Sequence, residues 1–235
     1  MSRIDVVLWI VLPYVCLTVF VVGHVWRYRR DQYSWTARST QLFERRFLLV
    51  GSLLFHFGIL AAIGGHVLGI LVPRSWTEAV GIGDDAYHWL AVVAGIVSGA
   101  AVVAGFAVLC LRRASVPRVR ATTLRSDLVL YPVLAAAILS GMLATVWGSA
   151  IEREEYRETV SPWFRGLFLL QPNADLMVGA SLVYQAHALI ALLLFALWPF
   201  TRLVHVWSVP VTYIGRSPIL YRSRGESRGQ ASTRA

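Results

Sequence analysis

A chain of 235 residues that is 57% hydrophobic, only 15% charged and formally +9 is too apolar for an ordinary soluble domain, in which about a quarter of residues are charged. Two cysteines set within apolar runs exclude a disulfide framework, and the lack of a C-x-x-C-H motif excludes the usual covalent haem c. The positive balance fits the loops of a membrane protein, which are basic for topological reasons and meet anionic membrane lipid, so it calls for no nucleic-acid partner.

Apolar stretches run over residues 4–26, 47–72, 87–111, 128–148 and 178–201. Each exceeds the ~20 residues that cross a bilayer core, which predicts an all-α integral membrane protein of five transmembrane helices. The first stretch is longer than the apolar region of a signal peptide. It is followed by Arg27-Tyr28-Arg29-Arg30 rather than a small-residue cleavage site, so it is expected to be a retained helix. All 22 basic residues are arginines. Seventeen lie between spans 1 and 2, between spans 3 and 4, or after span 5, and the remaining five (Arg3, Arg74, Arg153, Arg157, Arg165) belong to the other side. The positive-inside rule therefore places the N-terminus outside and the C-terminus in the cytoplasm.

Residues 1–221 form one membrane domain with no internal repeat. The Ser/Arg/Gly-rich residues 222–235 have almost nothing to bury and are expected to be a disordered cytoplasmic tail. The longest loop, about 149–177, contains Ser161-Pro162, which has the form of an N-cap followed by a first-turn proline. The segment that follows carries Trp163, Phe164, Leu167, Phe168 and Leu170 and is too short to span. It is expected to lie in the outer interface and to end at Gln171-Pro172-Asn173.

The six histidines (His24, His56, His66, His88, His187, His205) all fall within or at the ends of spans, where an ionisable group usually faces a partner, a cavity or a cofactor. A single one is readily explained as a packed, hydrogen-bonded side chain. Two helices with two histidines each are harder to explain that way. Spans 2 and 5 run antiparallel, so His66 falls level with His187 on the outer side and His56 with His205 on the inner side. One histidine from each side of an iron is a common way to hold haem. Zinc is the rival, but it prefers four ligands at one point.

The spacing carries a tension. The ten residues from His56 to His66 rise about 15 Å in a helix and the eighteen from His187 to His205 about 27 Å, so straight helices cannot level both pairs. Pro199 lies between the latter two and is expected to bend the helix. Gly51, Gly58, Gly64, Gly65 and Gly69 on span 2, with Gly95, Ser98 and Gly99 on span 3, would admit a flat macrocycle or an adjacent helix at the backbone. The pairs Gly65/Gly69 and Gly95/Gly99 equally fit helix packing. His24 and His88 have no matching partner and are left out of ligation. Met142 is a conceivable ligand but more in keeping with packing filler. Arg112 and Arg202 are candidates for haem propionate contacts, beside the plainer reading as interfacial arginines.

At these residues the chain resembles the gamma, or cytochrome b, subunit of respiratory nitrate reductase. The resemblance covers about residues 12–216. It is carried by RYRRDQYSWTARSTQ (27–41), LFHFGIL with GGHVLGIL (54–71), SVPRVRATT (115–123) and most strongly PFTRLVHVWSVPV (199–211). It implies two haems b, the proximal one held by His56 and His205 and the distal one by His66 and His187. It further implies menaquinol or ubiquinol oxidation near the distal haem, in the cytoplasmic membrane of a prokaryote. Electrons would pass inward to an iron–sulfur beta subunit and then to a molybdenum-containing alpha subunit that reduces nitrate.

Correspondence is least at the outer start of span 3. A quinol site needs a proton acceptor near the distal haem, and His88, preceded by Asp84 and Asp85, is the further histidine at that level. Gly65 would let the quinone head approach, since it brings no side chain. The alternatives are a dihaem cytochrome serving a sulfur-compound or heterodisulfide reductase, and a transporter or structural anchor. The latter would leave the paired histidines idle, and a visible spectrum separates it from the others.

Overall fold

The computed structural model describes residues 2–36 and 39–208; the expected tail at 222–235 and the last residues of the 199–211 motif lie outside them. Five helices are long and apolar enough to cross a membrane: α1 (Arg3–Asp31), α2 (Arg46–Leu71), α4 (Asp84–Ser115), α6 (Arg125–Ile151) and α9 (Leu182–Phe200). Between them lie the short helices α3 (Arg74–Ala79), α5 (Pro117–Arg120), α7 (Val160–Phe168) and α8 (Ala174–Val178). The described residues contain no strand.

Helix ends overrun the apolar runs by a few residues because hydrogen bonding continues until a cap or breaker stops it. Ser2 and Asp5 start α1 reciprocally: the Asp5 N–H donates to Ser2 Oγ (3.1 Å) and the Ser2 N–H to Asp5 Oδ2 (2.7 Å). The fifth span starts later than expected, at Leu182 rather than 178, since 174–178 form α8, which stops at Gly179. Ser161 is not an N-cap. That position falls to Thr159, and Ser161 lies in the first turn of α7, where its hydroxyl donates to the Gly69 carbonyl at 2.9 Å. Asn173 does cap α8, accepting from the Asp175 N–H at 3.0 Å. Widened π turns at Val67–Leu71 and Ala144–Ile151 carry no sequence signal.

The spans pack in the order α2 on α4, α4 on α6, α6 on α9 and α9 on α1. The α2–α4 contact is made by small residues. A Cβ on Gly58 would lie 2.9 Å from the Val102 backbone nitrogen, and Gly105 admits the Phe55 backbone, with its Cα 2.8 Å from a Cβ placed there. Backbones this close gain dispersion contacts on both sides without a hydrophobic drive. Gly95 and Gly99 do act as a pair, but toward α6, where they meet Thr145 and Met142. Gly65 and Gly69 do not form a pair: Gly69 meets the Tyr156 hydroxyl, while nothing described lies within 4 Å of a Cβ on Gly65. Outward residues such as Val7, Val11, Val15 and Val22 are exposed and apolar, as a lipid-facing surface requires.

The loops gather at two ends. At the basic end, buried Arg112 on α4 donates to Glu44 Oε2 (2.7 Å), Thr40 Oγ1 (2.9 Å) and the Thr40 and Glu44 carbonyls (2.9 and 2.7 Å), locking the 1–2 loop to α4. At the far end, α7 and α8 pack Trp163, Leu167, Ala174 and Met177 around Trp9, and the Trp163 Nε1–H donates to the Trp9 carbonyl at 2.8 Å. The expected interfacial segment is thus half-embedded: Trp163 and Leu167 are buried, while Phe168 and Leu170 are exposed.

Candidate functional site

In the packing order α2–α4–α6–α9–α1, α2 and the non-adjacent α9 with its continuation present histidines toward each other. His56 faces His205 with ring centres 6.1 Å apart, and His66 faces His187 at 6.1 Å. The ring planes make 72° in the first pair and 41° in the second. The first pair lies at the basic end, among the contacts of Arg202 and Arg27, and the second toward the far end, one turn from Gly69 and Tyr184.

The tension over spacing is resolved at Pro199. The helix does not bend there; it stops. Leu197 is the last α-helical residue, Trp198–Phe200 form a tight turn, and extended Thr201 (φ −119°, ψ −179°) breaks the axis. A 3₁₀ segment, Arg202–Ser208, then carries His205. The α-helix therefore extends only ten residues past His187, about 15 Å of rise and the same as from His56 to His66, and irregular backbone carries the chain from there to His205.

Hydrogen bonds fix each ring. Nδ1 of His56, His66 and His205 lies 2.8, 2.7 and 2.6 Å from the carbonyl oxygens of Ser52, Ala62 and Arg202. A carbonyl only accepts, so Nδ1 carries the proton and Nε2 keeps its lone pair. His187 Nδ1 is 3.0 Å from Ser140 Oγ, whose own hydrogen is directed to the Ala137 carbonyl, so the same tautomer follows. These are the outer bonds that orient metal-binding imidazoles. Two imidazole–metal bonds of about 2.0–2.1 Å, with a ring centre roughly 1.2 Å behind each nitrogen, place ring centres about 6.4 Å apart. The observed spacing fits one metal between each pair. Among the described residues no group of three or more histidines, cysteines or carboxylates is placed to hold a metal ion, so a four-ligand zinc site is not what these pairs provide. A planar group with two open axial positions fits, and Gly64 and Gly65 leave space for it beside His66.

The remaining candidates are placed differently. His24 donates from Nδ1 to the Phe20 carbonyl (2.6 Å), and its Nε2 accepts from Trp207 Nε1 (3.1 Å), so no lone pair is left for a metal. Met142 fills the groove at Gly99 and acts as packing. Arg112 is occupied by the 1–2 loop, and Arg202 directs Nε and Nη2 to buried Asp127. Both arginines fit the plainer structural reading better than a propionate contact.

His88 lines a small cleft at the far end with Asp84, Tyr87, Glu154, Tyr156 and Arg157, and its Nε2 is buried with no hydrogen-bond partner among the described residues. Gly65 instead faces open space on α2. Tyr156 contacts Gly69 and packs 6.0 Å from the Tyr184 ring; burial pushes its hydroxyl pKa far up, and the neighbouring Tyr87 hydroxyl adds to this. It therefore stays protonated and able to donate.

Three residues escaped sequence reasoning. Ser140 and Gly141 on α6 support His187: the first bonds Nδ1, and a Cβ on the second would press within 3.0 Å of Cε1. Only the tertiary packing of α6 on α9 reveals them. Ser52, one turn before His56, places its hydroxyl 3.1 Å from Nδ1, and its i−4 spacing was a signal available in the sequence.

Comparison with known proteins agrees with this architecture. The model of the family described as nitrate reductase gamma subunit matches residues 5–224. The nitrate reductase-like protein NarX of Mycobacterium tuberculosis (strain H37Rv) is 51% identical over 93% of the chain, which spans only 34% of that longer protein. The nitrate reductase gamma chain of Bacillus subtilis is 43% identical over 93% of this chain and 98% of its own length. The respiratory nitrate reductase 2 gamma chain of Escherichia coli is 32% identical over 94% and 98%. A family match over nearly the whole chain, on a five-span fold, decides the matter: this chain belongs to the nitrate reductase gamma subunit family.

Proposed function

We propose that this chain is the dihaem, quinol-oxidising membrane subunit of a respiratory nitrate reductase in a prokaryotic cytoplasmic membrane. The observation that carries the reading is the pair of facing imidazoles at each level of the bundle, 6.1 Å between ring centres with each Nδ1 at hydrogen-bond distance from a protein oxygen. His56 and His205 would hold one haem b at the basic end, and His66 and His187 the other toward the far end. When bound, the two haems supply one-electron carriers in series across the apolar core.

The chain's own residues do the rest. Carbonyls of Ser52, Ala62 and Arg202 and the Ser140 hydroxyl hold the imidazole protons at Nδ1, which keeps Nε2 basic and the rings oriented. At the far end, quinol must release protons as it is oxidised, and His88, whose Nε2 has no hydrogen-bond partner among the described residues, is the candidate acceptor, while Gly65 lies outside the His88 cleft on the open face of α2. The arginine-rich loops 27–46 and 112–127 would face the cytoplasm and receive an iron–sulfur beta subunit, itself joined to a molybdenum-containing alpha subunit that reduces nitrate. Release of protons outside while electrons move inward conserves about 2.3 kcal/mol per charge per 100 mV.

The test is a pyridine haemochrome assay on the purified chain. Two equivalents of haem b are expected, falling to one in His66→Ala and one in His205→Ala. One equivalent in the unsubstituted protein, or covalent haem, would refute the ligand set. His88→Ala should keep both haems while slowing their reduction by quinol; an unchanged rate would place the acceptor elsewhere. Cysteines introduced at Ser39 and Ser115 should escape labelling from outside and one at Glu154 should be labelled, and the reverse pattern would overturn the orientation.

A further inference from the structure

His205 differs from the other three paired histidines in that no α-helix holds it. It sits in the 3₁₀ segment Arg202–Ser208, behind the break at Thr201. A short 3₁₀ stretch has poor internal hydrogen bonding and does not by itself fix a side chain's direction. The surrounding structure grips it from three sides. At its start, Arg27 on α1 donates from Nη1 to the carbonyls of Pro199 (2.7 Å) and Thr201 (2.8 Å). In its first turn, Arg202 donates from Nε to Asp127 Oδ1 (2.7 Å) and from Nη2 to Asp127 Oδ2. Asp127 is fully buried at the start of α6 and also accepts from the Leu124 N–H at 3.0 Å, so this carboxylate is held in place itself. Toward its end, Trp207 Nε1 donates to His24 Nε2 (3.1 Å), and the Ser208 hydroxyl donates to the Trp35 carbonyl (3.0 Å).

The path to the imidazole is short. The Arg202 carbonyl, carried by the residue that Asp127 pins, is the acceptor for His205 Nδ1 at 2.6 Å. That bond sets ring direction and the electron density at Nε2, and second-shell bonds of this kind tune a bound metal.

We infer that Asp127 and His24 are positioning residues that act through Arg202 and Trp207 to set the orientation of His205, and so the reduction potential of the haem at the basic end. This gives a role to the one histidine that is neither a paired ligand nor placed in the far-end cleft. His24 serves as a hydrogen-bond acceptor with a fixed tautomer, held by its own Nδ1–H bond to Phe20. The inference rests on the haem reading above but makes a separate claim about which residues tune one haem and not the other.

The experiment is a redox titration of both haems, with low-temperature spectra of their ferric forms, in the purified chain and in Asp127→Asn and Trp207→Phe. Trp207→Phe keeps an aromatic ring at an exposed position and removes only the donor, so it keeps the inference testable if Asp127→Asn fails to fold. The expected result is a shift in the basic-end haem of up to tenfold in its oxidised-to-reduced ratio at fixed potential, about 59 mV for one electron. Its ferric spectrum should change with it, while the far-end haem keeps both values. His24→Gln, which can still accept from Trp207, should restore most of what His24→Ala loses. Unchanged potential and ferric spectrum of the basic-end haem in both Asp127→Asn and Trp207→Phe would overturn the inference. If the unsubstituted chain binds no haem, or keeps two in His205→Ala, the ligand reading itself falls and the inference with it.

Discussion

The two histidine pairs have the same ring spacing but are built by different means. At the far-end pair both histidines ride on continuous helices. His66 is fixed by its own i−4 carbonyl, and His187 is buttressed by one neighbouring helix through Ser140 and Gly141. At the basic-end pair only His56 is helix-borne, and His205 depends on side chains from α1 and α6 to hold an irregular turn. A helix supplies local geometry for every residue at once, whereas a turn needs specific locks, each with its own desolvation cost. The far-end pair should therefore tolerate loss of its supports better than the basic-end pair.

The largest effect is expected at the buried lock. Asp127→Ala leaves the Arg202 guanidinium without its counter-charge, and removing one partner of a buried pair costs up to about 3–5 kcal/mol, reduced here because the remaining guanidinium is partly exposed. Thermal unfolding in detergent should show a large drop in Tm together with selective loss of the haem proposed at the basic end. Equal loss of both haems would break the comparison.

Gly58→Ala comes next. Its Cβ would meet the Val102 backbone nitrogen at 2.9 Å, which cannot rotate away, and overpacking of this kind costs about 1–3 kcal/mol. Gly58 lies between His56 and His66 on the α2–α4 contact, so Tm should fall with both haems affected alike. A one-sided effect would mean that α2 does not move as a rigid unit.

Ser140→Ala should be milder, about 0.5–1.5 kcal/mol for one hydrogen bond. Spectra should show the far-end haem retained, because helix geometry still directs His187. Complete loss of that haem would show that the far-end pair is no more robust than the other.

The smallest effect is pH dependence at the basic-end loop. Burial works to raise the Glu44 carboxyl, but the Phe47 N–H, the Arg112 guanidinium and the Leu48 N–H outweigh it and hold the pKa below its ordinary value. A depressed carboxylate stabilises the fold fully above its unfolded value, about 4.3, and loses that contribution as pH falls through the folded value. The unsubstituted chain should therefore lose Tm on acidification below about pH 4.3 more steeply than Glu44→Gln. Parallel curves would show that the Arg112 lock contributes nothing that protonation removes.

Much of this architecture was legible because the physics is local. Length and apolarity gave the five spans, since a bilayer imposes one length on every crossing helix. The alternation of loops between a basic and a far end also followed, and the contacts Arg112–Glu44 and Arg202–Asp127 bring the expected loops together. The histidine pairing was readable from antiparallel helices and from a family resemblance on long motifs. Ser161 was misread because a Ser-Pro step also fits two positions further into the first turn, and the chain takes Thr159 as the cap.

What the sequence by itself determined is therefore that there are five spans, roughly where each runs, and which four histidines pair across them. It could not decide how His205 reaches His56, because Pro199 is compatible with a bend or a stop, and the choice falls to long-range bonds from Arg27, Asp127 and His24. Nor could it assign the glycines, since a missing side chain shows no preference until a neighbour is present: Gly58 admits α4, Gly69 admits Tyr156, and Gly65 faces open space. Helical periodicity is a property of adjacent residues, but the locks and close approaches join residues as far apart as 183 positions, and only the folded chain brings them together.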